Sequence, residues 1–78
     1  MLSHIFDIMD EQKRIQKDII LFEENCKKTI PSTANKKIIE LATQYYQDST
    51  YYLEKKDYFT AFGCINYAHG LLDAIINF

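Results

Sequence analysis

His69 and Asp73 are the residues whose types and spacing come nearest to chemistry. Four positions apart on a helix, they lie one turn from each other, and an aspartate can fix a histidine tautomer, which is the orienting half of an acid–base site. Asp48 and the tyrosines Tyr45, Tyr52 and Tyr58 could join them. The plainer reading is a histidine at the edge of an apolar face, satisfied by its helical neighbour. No nucleophile stands beside a base, and the chain has no Gly-rich phosphate loop, no His-Glu-x-x-His pair and no carboxylate cluster with metal spacing. No catalytic residue, metal or cofactor is therefore assigned, and an enzyme is not expected.

Lys27, Lys28, Lys36 and Lys37 bracket Pro31 and together could form a small basic knob for phosphate or RNA. Four lysines without an arginine or an interleaved aromatic read more simply as solvated helix ends. Cys26 and Cys64 are 38 positions apart with no zinc-ligand pattern, so two reduced thiols acting as small core hydrophobes are expected.

The elements that must position these groups are short of turn material. The chain has 78 residues, one Pro, two Gly and a formal net charge of −2, which suits one small globular domain over residues 1–78 and disfavours a surface built wholly for nucleic acid. Asp7, Asp10 and Glu11 interrupt any secretory leader. The longest strictly apolar run, Ile19 to Phe22, is far below the roughly 20 residues that span a bilayer. The expectation is a soluble, cytoplasmic protein with no membrane contact.

The spacing predicts an all-α fold of three helices. Helix 1, about 3–30, carries Ile5, Ile8, Gln12, Ile15, Ile19, Phe22, Cys26 and Ile30 in one stripe, with Ser3 as cap and Pro31 as stop. Helix 2, about 33–55, starts at a Ser32 or Thr33 cap and turns Ala34, Ile38, Ala42, Tyr45, Ser49, Tyr52 and Leu53 inward. Helix 3, about 57–76, is capped by Asp57 and has Ala61, Ile65, Ala68, Leu72 and Ile75 inside. The short link through Lys56 makes helices 2 and 3 an antiparallel hairpin within an up-down bundle. Ala42 and Ser49 facing Ala61 and Ala68 would let the two axes approach closely. Tyr51 and Leu21 are expected to be exposed.

Helix 3 breaks the pattern of the other two. From Tyr58 to Phe78 the only charged residue is Asp73. The side opposite its inner stripe carries Phe59, Gly63, Asn66, Tyr67, Gly70, Ala74 and Asn77, with no Lys, Arg or Glu. Each Gly costs about 1 kcal/mol relative to Ala in a helix interior, so something should approach that face closely. Two coverings are open: helix 1 of the same chain, or another polypeptide, either a second copy or a different protein.

The stretches Tyr45-Tyr46-Gln47-Asp48, Tyr52-Leu53-Glu54-Lys55-Lys56-Asp57-Tyr58 and above all Tyr67-Ala68-His69-Gly70-Leu71-Leu72-Asp73-Ala74 resemble a family of short archaeal proteins known as domain of unknown function 357. The resemblance covers about residues 34–76, with helix 1 similar only in pattern. It implies a helical hairpin with an N-terminal helix in a cytoplasmic protein, and supplies no activity or site residue. Family members commonly have Gly in the turn where this chain has Lys56. The hairpin is loosely similar to tetratricopeptide-type repeats, but one hairpin is fewer than such a solenoid needs. It is also loosely similar to nucleotide-processing helical domains of the higher-eukaryote-and-prokaryote type. Their nucleases place an Arg shortly before a His, whereas the only arginine here is Arg14.

No motif names a reaction or a ligand. The leading expectation is a small interaction module that uses the neutral face of helix 3, self-associating or binding another cytoplasmic protein. The alternative is an RNA- or nucleotide-associated accessory protein using the four lysines; an enzyme built on His69 and Asp73 comes third.

Overall fold

The computed structural model describes the backbone of residues 2–77 and the side chains of residues 10–77. Three helices follow one another: α1 (Leu2–Lys28), α2 (Lys36–Glu54) and α3 (Tyr58–Ile76). All described residues outside them are turn or coil, so the all-α expectation holds. At 1.5 Å per residue α1 is about 40 Å long and the other two about 28 Å. The long helix therefore overruns the hairpin, and the molecule measures 51 × 20 × 15 Å.

Helix ends depart from the predicted ranges for local reasons. α1 stops two residues before Ile30. The Thr29 hydroxyl donates to the Asn25 carbonyl at 3.1 Å and its amide to Cys26 at 3.1 Å, closing the last turn. Ile30, expected in the apolar stripe, stands outside the helix and is 83% exposed, since Pro31 excludes it from helical geometry. Ser3, expected as a cap, falls inside the helix that begins at Leu2; its side chain and those of Ile5, Asp7 and Ile8 lie outside the described residues.

α2 begins at Lys36 rather than 33. Ser32 and Asn35 close a reciprocal pair, the Ser32 amide donating to Asn35 Oδ1 at 2.7 Å and the Asn35 amide to Ser32 Oγ at 3.3 Å. That pair holds Thr33–Asn35 as a turn, and it leaves Ala34 and Ile38 exposed rather than inside. At the other end Lys56 takes a left-handed conformation with φ 63°. Its amide reaches the Leu53 carbonyl at 3.0 Å and that of Asp57 reaches Tyr52 at 2.9 Å, the two bonds of a Schellman closure. Asp57 then caps α3, accepting from the Thr60 amide at 3.2 Å and the Thr60 hydroxyl at 2.7 Å. One residue ends a helix and the next starts the following one, which forces α2 and α3 antiparallel.

The core lies where the three helices meet. Ile15, Phe22, Ala42, Ala61, Ile65, Ala68 and Leu72 are fully buried, together with Ser49. Small residues form the α2–α3 seam, and there the Ser49 hydroxyl donates to the Ala61 carbonyl at 2.7 Å. α1 lies in the groove between the other two. Its Phe22 stacks on Tyr46 of α2 at 5.0 Å and meets His69 of α3 edge-on at 5.7 Å. Gln12 accepts from the Tyr58 hydroxyl at 3.4 Å. Cys26 and Cys64 are free and half-buried rather than fully inside.

Candidate functional site

His69 does not pair with Asp73. Its Nε2 lies 2.8 Å from the backbone carbonyl of Asp18 on α1. A carbonyl only accepts, so Nε2 carries the hydrogen and donates. The ring leans toward α1 because Phe22 offers it an edge-on contact there, while Asp73 stays exposed to solvent. The other residues expected to converge on His69 are occupied elsewhere. Tyr58 bonds Gln12, Tyr45 packs on Tyr67 at 4.6 Å, and Tyr52 meets Tyr51 edge-on at 5.2 Å. His69 fastens α1 to α3, and among the described residues no acid–base constellation forms around it.

One tyrosine contact across helices leaves no signal in the sequence pattern. The Tyr46 hydroxyl donates to Glu23, an interhelical bond that holds the Tyr46 acid above the ordinary phenol range, with burial and the nearby negative charge adding to it. Burial likewise raises the Cys26 thiol, helped by Glu23, and the Cys64 thiol, helped by Asp48 and Asp57. Raised thiols carry little thiolate and are poor nucleophiles. Among the described residues no three of His, Cys, Asp and Glu are grouped to hold a metal ion.

Lys27 and Lys28 stand at the end of α1 and Lys36 and Lys37 in the first turn of α2, all four exposed. They do not share one cradle. A shallow hollow of about 270 Å³ at this end of the bundle is lined by Lys28, Thr29, Ile30, Asn35, Ile75 and Ile76, so only one of the four lysines borders it and its wall is about half apolar. A second hollow of about 260 Å³ lies between Asp10, Glu11 and Arg14 of α1 and Phe62 of α3. Acidic side chains on its rim would repel a phosphate.

The back of α3 is the remaining feature. Its inner stripe faces α2 and the groove that α1 fills, so α1 does not cover the opposite side. Phe59, Gly63, Asn66, Tyr67, Gly70, Ala74 and Asn77 are all exposed, Phe59 to 87%. A methyl group built on Gly63 or Gly70 would meet nothing within 4 Å. Of the two coverings left open by the sequence, packing of α1 on this face is the one the chain does not use. By length and composition α3 also matches a membrane-crossing segment, although Ala61, Ile65, Ala68 and Leu72 are buried against protein. Along one edge of the bare face Tyr67 leans on Tyr45; along the other stands the partly exposed Phe62.

No curated protein matches this chain. Residues 14–78 match the family model described as "Protein of unknown function (DUF357)", a span that reaches past the hairpin into α1, and the chain belongs to that family.

Proposed function

We propose that this chain is a small, non-catalytic helical module whose role is to dock another polypeptide on the back of α3. The reading takes it as a cytoplasmic protein of the archaeal type that the resemblance implies. One observation carries it: a face with Phe59 extended into solvent and two glycines with open space above them. In an isolated chain each glycine lowers helix stability by about 1 kcal/mol, against a total near 4–12 kcal/mol for a domain of this length. Alanine at both positions would remove that cost without touching any neighbour. Glycine is useful there only if a second surface comes closer than a methyl group allows.

The test is site-specific photo-crosslinking in the cells that make the protein. A photoreactive phenylalanine analogue is placed at Phe59, where it replaces an exposed aromatic ring of the same face, and, as control, at the exposed Gln16 of α1. The reading expects a discrete polypeptide adduct from position 59 and none from position 16. Lipid adducts alone, or equal diffuse labelling from both positions, would overturn it.

A further inference from the structure

We infer that the surface covering the back of α3 is a second copy of this chain, docked antiparallel, α3 on α3, about a two-fold axis that passes between Asn66 and Tyr67. The inference rests on the reading above and names its partner. With 100° per residue, the direction opposite the buried Ala61, Ile65, Ala68 and Leu72 stripe falls midway between Asn66 and Tyr67. A two-fold axis perpendicular both to that direction and to the helix, lying between the two copies at this level, sets each residue against the one equally far along the other copy. Gly63 then faces Gly70 of the second copy, and Phe59 faces Ala74, each pair occurring twice. The largest exposed side chain of the face meets a methyl group, and glycine meets glycine near the centre. Such self-complementarity is what an isologous contact requires.

Glycine on glycine lets the axes come nearer than the usual 8–10 Å of packed helices. Charge selects the antiparallel sense. A parallel pair would oppose Asp73 to Asp73, the only charged residue of α3, and Phe59 to Phe59. In the antiparallel pair the two Asp73 residues stand about 20 Å apart along the axis, beyond the screening length of about 8–10 Å.

Area agrees with one such contact. A monomer of 9.2 kDa exposes roughly 4,900 Å², and this chain exposes 5893 Å². The difference over the whole molecule, about 1,000 Å², is of the order of the roughly 800 Å² that each partner buries in a standard interface.

Sedimentation velocity on the purified chain tests the inference, at concentrations up to roughly 100 µM. Phe59 and Ala74 are exposed, so Phe59→Lys and Ala74→Glu leave the fold of the single chain intact, which circular dichroism checks. The wild type should dimerise, and each single variant should weaken the dimer about tenfold or more. The double variant should bind more tightly than either single one, because the introduced ammonium meets the introduced carboxylate of the other copy only in the antiparallel register. A monomeric wild type, a dimer indifferent to Ala74→Glu, or a double variant no tighter than the singles would each overturn it. If the purified chain is monomeric while position 59 still crosslinks to a different polypeptide in cells, this inference fails and the docking reading stands.

Discussion

Replacing Gly63 and Gly70 by alanine should stabilise the isolated chain and weaken its association, two effects of opposite sign from the same pair of methyl groups. Neither glycine has a positive φ, so alanine fits the backbone without strain. Neither added Cβ meets an atom within 4 Å. Each substitution therefore recovers about 1 kcal/mol of helix propensity. Seven residues set the two sites about 10 Å apart, far enough for the gains to add to about 2 kcal/mol. At 4–8 °C per kcal/mol for a domain of this size, the melting temperature should rise by roughly 10 °C. That holds at concentrations low enough to keep the chain monomeric. At high concentration the wild type gains further stability from association, by mass action, and the variant loses that part because its methyl groups hold the second surface off. Thermal melts at two protein concentrations separate the terms: the advantage of the double variant should shrink as concentration rises. A double variant that melts below wild type when dilute would mean that part of the same chain touches these glycines. A gap that does not change with concentration would mean that no second copy comes close.

The other predictions concern the scaffold that presents this face. Ser49→Ala should cost about 0.5–1 kcal/mol, from the lost hydrogen bond offset by better helix propensity; urea denaturation reads it, and a gain in stability would contradict the Ser49 to Ala61 bond at 2.7 Å. Lys56→Gly should stabilise by up to about 1 kcal/mol, because Lys56 sits at φ 63°, where a side chain is strained and glycine is not; a loss would argue that the lysine holds the turn by other means. Raised acids at Tyr46, Cys26 and Cys64 mean that the unfolded chain gives up these protons first. Stability from these groups is fully present below the ordinary thiol range and is lost as pH rises through the higher folded values, so urea midpoints should fall above about pH 8.5. Glu23→Gln should flatten part of that fall, since Glu23 is the main cause at Tyr46; an unchanged slope would refute that cause.

Much of the fold was legible because its causes are local. Asp57 sits before a run without Pro or charge until Asp73 and caps it, and the inner stripe of α3 follows the helical period from Ala61 to Leu72. Where the periodic pattern misled, a side chain diverted the backbone. Thr29 bonded Asn25, and Ser32 bonded Asn35, each taking up groups that the pattern had given to a helix. His69 shows the limit more sharply. Spacing on one helix points to Asp73, but the partner is a main-chain carbonyl 51 positions away, and main-chain groups leave no mark on residue type.

The back of α3 was legible as a face without charge, whereas the place of α1 was not, since a single apolar stripe could pack on either side of α3. Contact chemistry decides it. In the groove Phe22 reaches an aromatic ring on each of two helices, and Ile15 loses all contact with water. On the back of α3 the same side chains would meet Gly63 and Gly70, which have no side-chain atoms to offer. Those glycines thus disfavour α1 on that side as much as they admit a flatter surface. A helix face of Gly63, Gly70 and Ala74 flanked by Phe59 is poor at holding a narrow stripe of long side chains and well shaped to hold another face like itself.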